Sequence, residues 1–127
     1  MTAAPAVFDT SVFIGRETRS VGALEGWAPI VSVITIAELK LGVRLARTKK
    51  SAARRATTLA DASKARIVPI DERLVADAWC ELRAELKRTI PANDSWIAAT
   101  ALALGVPIIT QDDDFDAAAS MIQIEKI

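Results

Sequence analysis

The chain has 127 residues, of which 51% are hydrophobic, and its 16 basic residues balance its 16 acidic ones. This length and composition predict one globular domain over residues 1–127 and exclude disordered and fibrous classes of protein. The sequence holds no histidine and one cysteine, which excludes Ser/His triads, the usual zinc ligand sets and an internal disulfide. Without a leader-like amino end or a long apolar run, the sequence predicts a soluble cytoplasmic protein without a membrane segment, in which Cys80 is a small buried thiol.

The charges are distributed unevenly along the chain. Nine basic residues and one acid, Asp61, lie between Lys40 and Arg66, so the remainder of the chain is acidic. This pattern is compatible with a face that binds polyanions beside an acidic pocket for divalent cations. It is also typical of a helical hairpin whose basic residues face water, and charge alone favours this second interpretation.

The chain begins with an apolar run that contains one carboxylate. We predict a buried strand over Ala3–Phe8, a short helix over Ser11–Gly15 and a second helix over Ser20–Trp27. Asp9 then lies at the carboxyl end of the first strand, where open α/β folds place their ligands. Capping of the following helix is the alternative role for this carboxylate.

The next segments repeat the order of strand followed by helix. Residues Pro29–Val33 predict a strand and Ile34–Leu45 a helix, with Glu38 in its first turns. Because Thr35 precedes Glu38 by three residues, the pair also fits a capping box, which taken alone is the better interpretation. The following elements are a helix over Lys49–Ala65 and a strand over Arg66–Ile70, whose Pro69 indicates a sheet edge.

The carboxyl-terminal half is predicted to contain two helices and two strands. Asp71 caps a helix over Glu72–Arg88, in which Trp79 serves packing, and Asn93 caps a helix that starts at Asp94 and ends at Gly105. A strand over Val106–Ile109 stops at Thr110. Three adjacent carboxylates follow at residues 112–114; one can cap the short helix after them, and the others repel each other unless a cation or solvent screens them. Residues Ile122–Ile127 form a final edge strand.

This alternation predicts an α/β fold with a central, mostly parallel sheet of four to five strands and helices on both faces. In such a sheet four acids converge on one edge: Asp9, Glu38, Asp94 and Asp112. Carboxylate oxygens are the ligands that Mg²⁺ and Mn²⁺ prefer, and a bound cation keeps several carboxylates ionised together.

The order and spacing of four motifs resemble those of a known family. The motifs are Phe8-Asp9-Thr10-Ser11-Val12-Phe13-Ile14, the run from Ser32 to Gly42, Asn93-Asp94-Ser95-Trp96-Ile97-Ala98-Ala99 and Thr110-Gln111-Asp112-Asp113-Asp114-Phe115. Over nearly its whole length the chain resembles PIN-domain ribonucleases, specifically the VapC-type toxins of toxin–antitoxin pairs.

The resemblance implies a PIN-like three-layer fold and a role for each acid. Asp9, Glu38, Asp94 and Asp112 are then catalytic, and Asp9 and Asp94 bind the metal directly. Thr110 and Asp114 support the site. Asp113 replaces Asp112 if the strand ends one residue later. The resemblance also implies a homodimer and a VapB-type antitoxin whose tail covers the groove.

The expected reaction is hydrolysis of RNA by metal-activated water. Without histidine, a metal is the best activator of the attacking water, and hydrolysis in line leaves a 5′-phosphate and a 3′-hydroxyl. A mechanism that uses the 2′-hydroxyl and a histidine base has no residue to run it. Single-stranded or looped RNA is the expected substrate, with Arg44 and Arg47 as candidate phosphate contacts.

Three other functions have weaker support in the sequence. A receiver-type phosphoacceptor domain needs an acidic pair after its first strand, where this chain has Asp9 followed by Thr10. A haloacid-dehalogenase-like phosphatase needs a second Asp at the position of Ser11. A non-catalytic binding domain with the same fold has no need of all four acids.

Overall fold

The computed structural model describes residues 3–18 and 24–127. Within those ranges, five strands form one sheet in the order β3-β2-β1-β4-β5, and every neighbouring pair is parallel. The strands are β1 (Ala4–Phe8), β2 (Trp27–Ser32), β3 (Arg66–Val68), β4 (Ile108–Thr110) and β5 (Ile124–Lys126). The helices are α1 (Thr10–Gly15), α2 (Val33–Leu45), α3 (Lys49–Ala62), α4 (Val75–Glu85) and α5 (Ala92–Leu104), with a 3₁₀ turn over Asp116–Ala118.

The strand order reverses next to β1. From β1 the chain moves through β2 to β3 at one edge, and it then returns to place β4 on the other side of β1. In open α/β sheets this switch point forms a crevice at the carboxyl ends of the strands, where ligands bind. Asp9 follows β1 and Gln111 follows β4, so both chain segments leave the sheet at this crevice.

Two apolar cores confirm the predicted three layers. Alternate side chains of a strand point to opposite faces of its sheet. Val7 and Ile108 accordingly pack in one core with α4 and α5. Phe8 and Ile109 pack in the other core, with α1, α2 and α3.

Several predicted boundaries differ from the structure. Of the helix predicted over Ser20–Trp27, residues 20–23 lie outside the described residues, and Trp27 is the first residue of β2, so the helix is wrong at that end. The helix predicted over Glu72–Arg88 is shorter, because residues 72–74 form a turn in which Asp71 Oδ1 accepts a hydrogen bond from Val75 N at 2.8 Å.

Cys80 is exposed rather than buried, because it lies on the outer face of α4 while Ala78 and Leu82 face the core. Pro69 follows β3, and β3 does lie at an edge of the sheet. In the part of the chain that the structure describes, no helix has the length and apolar character needed to cross a bilayer.

Candidate active site

Asp9 lies at the bottom of the crevice and is 2% exposed. Its Oδ2 accepts hydrogen bonds from Ser11 Oγ at 2.7 Å and from Thr110 Oγ1 at 2.9 Å. Burial raises the pKa of Asp9, and the hydroxyl and backbone hydrogen bonds oppose that rise. The carboxylate is therefore held in one orientation by residues from two neighbouring strand ends.

Glu38 is available to the crevice because it does not cap its helix. The residue that caps α2 is Ser32, whose Oγ accepts a hydrogen bond from Ile34 N at 3.1 Å. The predicted capping box is therefore wrong, and Thr35 lies buried inside the helix. Glu38 Oε1 instead accepts a hydrogen bond from Thr10 Oγ1 at 2.8 Å, which ties α2 to α1.

Asp94 lies in the first turn of α5 and faces the other acids. The helix begins at Ala92 after Pro91, so Asn93 is not its cap and Asp94 is its third residue. Burial, together with the nearby negative charges of Asp9, Asp114, Glu38 and Asp112, raises the pKa of Asp94 to about 7. The carboxylate of Asp94 therefore interacts electrostatically with four other carboxylates across the crevice.

The three consecutive carboxylates after β4 have different partners. Asp112 N donates to Thr110 Oγ1 at 3.0 Å, and burial followed by the charge of Asp9 raises the pKa of Asp112. Asp113 instead accepts a hydrogen bond from Lys126 Nζ at 2.6 Å, which lowers its pKa. This pairing leaves Asp112 and Asp114 in the crevice. The cap position just before the 3₁₀ turn is occupied by Phe115 and not by an aspartate, so the predicted cap there is wrong.

These side chains line one open groove of about 620 Å³. Its lining contains all four predicted catalytic acids together with Asp114, and Thr110 lies beneath them. The complete lining is Asp9, Thr10, Ser11, Ile14, Glu38, Pro91, Ala92, Asn93, Asp94, Asp112 and Asp114. Among these described residues there is no lysine or arginine. We call this the acidic groove.

Arg44 and Arg47, the predicted phosphate contacts, are exposed at the carboxyl end of α2 and just beyond it. Neither residue lines the acidic groove.

The donor set of the acidic groove suits a hard divalent cation. All of its charged atoms are carboxylate oxygens, and their mutual repulsion is relieved by either a proton or a cation. Within residues 3–18 and 24–127, however, no three acidic side chains already lie close enough together to form a complete ligand set. The acidic side chains therefore lie near one another, but they are not close enough to coordinate one cation together.

Of the hydroxyl residues that support the acids, the sequence analysis predicted Thr110 but missed Thr10 and Ser11. Ser11 Oγ also accepts from Gln111 N at 3.1 Å, so it joins the ends of β1 and β4. Thr10 Oγ1 lies 3.0 Å from Thr35 Oγ1 as well as contacting Glu38. The available signal was two adjacent hydroxyl residues directly after a buried strand-end aspartate.

Comparison with known proteins agrees with this geometry. A family model described as the PIN domain matches residues 6–121. The chain belongs to the PIN-domain family. This PIN domain is 44% identical to Ribonuclease VapC4 of Mycobacterium tuberculosis, over 96% of this chain and 95% of that protein. It is 40% identical to Ribonuclease VapC5 of the same organism, over 99% of this chain and 96% of that protein.

A solved structure extends the likeness to three dimensions. The crystal structure of VapBC-5 from Mycobacterium tuberculosis, a member of the VapBC family of toxin–antitoxin systems, superposes on this PIN domain with a TM-score of 0.80. The two chains are 37% identical, and the match covers 98% of each.

Proposed function

We propose that this PIN domain is a VapC-type endoribonuclease toxin that hydrolyses RNA in the acidic groove with the help of a divalent cation. The observation that carries the proposal is the convergence of five carboxylates at the switch point of the sheet, where burial and the neighbouring negative charges together raise the pKa of Asp94 to about 7. Relatives that span nearly the full length of the chain are named as ribonucleases.

The cation is proposed to be Mg²⁺, with Mn²⁺ as an alternative, held by Asp9 and Asp94. When bound, such an ion supplies charge neutralisation at the phosphate and lowers the pKa of water. Ser11 and Thr110 keep Asp9 oriented toward the groove through their hydrogen bonds to Oδ2. Thr10 does the same for Glu38, which leaves the second carboxylate oxygen of Glu38 free to accept a proton from water.

The proposed products are a 5′-phosphate and a 3′-hydroxyl. Cleavage through the 2′-hydroxyl needs a general base and acid near neutral pH, a role usually taken by histidine, which this sequence lacks. Direct attack of water on the phosphorus needs only the carboxylates of the groove and the cation.

The proposed partners are RNA, a VapB-type antitoxin and a second copy of the chain. A solved relative of similar length is a VapBC toxin–antitoxin complex. An antitoxin that covers the acidic groove would keep RNA away from the carboxylates, and the homodimer is proposed from the family resemblance.

The decisive experiment compares two aspartate variants. Asp94→Asn removes one groove carboxylate with little change in shape, whereas Asp113→Asn removes an exposed carboxylate that pairs with Lys126 outside the groove. With labelled RNA and Mg²⁺, we expect Asp94→Asn to lose on the order of 100-fold or more in cleavage rate, because it removes one of the two carboxylates proposed to hold the cation. Asp113→Asn should cut like the wild type.

The same reactions also test the cation and the products. Addition of a chelator should stop cleavage, and the downstream fragment should be degraded by an exonuclease that requires a 5′-phosphate. Equal cutting by Asp94→Asn, cutting in chelator, or fragments that end in a 2′,3′-cyclic phosphate would overturn the proposed chemistry.

A further inference from the structure

A second groove lies on the other side of α1 and has more cations than acids. It encloses about 510 Å³ between the carboxyl end of α1 and α3. Three cations line it, Arg16, Arg54 and Lys64, together with two acids, Glu17 and Asp61. We call it the basic groove.

The two grooves share α1 as their dividing wall. Ser11 and Ile14 of this helix line the acidic groove, whereas Phe13 and, just past the helix end, Arg16 line the basic groove. A helix with its side chains is about 10–12 Å across. RNA that fills both grooves must cross this width, which takes a strand of several nucleotides.

A buried carboxylate holds Arg54, one of the cations of the basic groove. The side chain of Glu17 is 5% exposed, and Thr58 Oγ1 donates to its Oε2 at 2.7 Å. Its Oε1 lies 3.4 Å from Nε of both Arg54 and Arg55. One carboxylate thus contacts two guanidinium groups through Nε, and the side chain of Arg54 remains half exposed.

The remaining charges leave the groove with an excess of cations. Arg16 contacts Asp61 at 3.2 Å, but both side chains are nearly half exposed, and such a pair contributes little. Lys64 is exposed just beyond α3. The acidic groove, by contrast, repels the phosphates of its substrate, so affinity for RNA must come from cations outside it.

We propose that the basic groove is a phosphate-binding subsite for single-stranded RNA, which holds the nucleotides that flank the scissile bond while that bond lies in the acidic groove. This inference rests on the proposed function for its substrate class. It assigns the contacts to Arg16, Arg54 and Lys64 rather than to Arg44 and Arg47, which line neither groove. The position of the two grooves on either side of α1, with more cations than acids in the basic groove, favours the phosphates of a nucleic acid strand over a protein segment as the occupant.

The test uses Lys64, because it can be changed without breaking the contacts of Glu17. Lys64→Gln is compared with Lys50→Gln, an exposed lysine about 20 Å away at the other end of α3 that does not line the groove. Binding is measured by fluorescence anisotropy with single-stranded RNA on Asp94→Asn protein, so that cleavage does not interfere. Two lengths of RNA are used, three and ten nucleotides.

Loss of one phosphate contact should raise the Kd of the ten-nucleotide RNA roughly fourfold at 0.15 M salt and reduce the salt slope by about 0.7. We expect that change for Lys64→Gln and no change for Lys50→Gln. The three-nucleotide RNA should bind both variants equally, because it is too short to leave the acidic groove and fill the basic one. In a background that keeps Asp94, Lys64→Gln should raise KM for long RNA without lowering kcat.

The results separate this inference from the proposed function. If the wild-type protein binds long RNA through Lys64 but cuts no RNA, the subsite stands and the nuclease proposal fails. If the protein cuts RNA and Lys64→Gln binds the long RNA as the wild type does, or if both lysine variants weaken binding equally, the subsite is wrong. Selective loss of binding to an acidic peptide such as polyglutamate, with RNA binding intact, assigns the groove to a protein partner and also overturns the proposal.

Discussion

Asp9 is held by two opposing influences whose balance sets its charge. Burial favours the neutral acid, whereas the hydroxyls of Ser11 and Thr110 stabilise the carboxylate through hydrogen bonds to Oδ2. The same Thr110 hydroxyl accepts a hydrogen bond from Asp112 N. A single hydroxyl at the end of β4 therefore positions two of the groove acids.

Replacement of the Thr110 hydroxyl should change the pKa of Asp9. We expect Thr110→Val to raise the pKa of Asp9 further, because it removes a hydrogen bond that favours the ionised form. Cleavage should fall roughly 10-fold to 100-fold, as is typical when a residue that orients a metal ligand is lost. Carboxyl NMR titration of the metal-free protein measures the pKa directly.

Thr89→Val is the matched control, since Thr89 is exposed and does not line the groove. An unchanged or lowered pKa of Asp9 in Thr110→Val would contradict the role assigned to this hydroxyl.

At the level of elements, the seam between α4 and α5 positions Asp94. Trp79 of α4 stacks on Trp96 of α5, with ring centroids 4.7 Å apart and planes inclined by 12°. Trp79 Nε1 donates to Ser95 Oγ at 3.0 Å, next to Asp94. This confirms that Trp79 serves packing, and the hydrogen bond shows how the packing reaches the first turn of α5.

Trp79→Phe should loosen this seam. It keeps an aromatic ring but removes the indole N–H and part of the stacked surface, so the free energy of unfolding should fall by about 1–2 kcal/mol. Urea denaturation followed by far-UV circular dichroism measures the change. The neighbouring Cys80→Ala, which is exposed, should remain within about 0.5 kcal/mol of the wild type. Equal stability of the two variants would contradict the importance of the seam.

The sequence predicted the order and type of most elements, and the errors have local causes. Val33 was placed in a strand because it continues a β-branched apolar run, but Ser32 caps α2 and starts the helix at that residue. Trp27 and Leu24 have helical spacing, yet Trp27 pairs with Ala4 in the sheet. Pro91 fixes the start of α5 and removes the need for Asn93 as a cap. Two of these errors therefore concern the local choice of the cap residue, and in the case of Trp27 a contact between segments overrode the local pattern.

The candidate acids were predictable because each follows from a strand end or a helix start in a parallel sheet. The choice between Asp112 and Asp113 was not, because it depends on the strand register at the far edge. Thr110 lies opposite Lys126 in the pairing of β4 with β5, which brings the ammonium group to Asp113. Neither the register nor the 2.6 Å contact can be read from the local sequence.

For the molecule as a whole, the even charge balance conceals a separation of charge. The acidic groove and the basic groove lie on either side of α1, and the nine basic residues between Lys40 and Arg66 supply two of the three cations in the basic groove. Part of that segment is already neutralised, since Arg54 and Arg55 share Glu17. The interpretation as a polyanion face therefore rests on the proposed subsite with Arg54 and Lys64, while the other exposed cations of the segment fit a solvated hairpin.

The raised pKa values of the groove acids make the free energy of unfolding fall as pH rises. The pKa of Asp94 is raised from its ordinary value of 3.8 to about 7 in the folded chain, so between these values the folded protein binds more protons than the unfolded one. Stability is then greatest at low pH within this window and is lost as pH rises through 7. Asp9 and Asp112, whose pKa values are also raised, contribute in the same direction.

A divalent cation should reverse that dependence. We expect metal-free protein to show a Tm that falls from pH 5 to pH 8, and Mg²⁺ to restore it most at pH 8, where the groove carboxylates are ionised. At ten times its Kd, Mg²⁺ stabilises the folded chain by about 1.4 kcal/mol, which corresponds to roughly 4–8 °C in Tm for a domain of this size.

Asp94→Asn should flatten the metal-free pH dependence and weaken the response to Mg²⁺, whereas Asp113→Asn should keep both. Differential scanning calorimetry in matched buffers provides the measurement. This measurement contains no RNA, so it tests cation binding separately from cleavage. If Mg²⁺ does not change the Tm at pH 8, or raises it equally in Asp94→Asn, the cation does not bind in the acidic groove, even if the protein cleaves RNA.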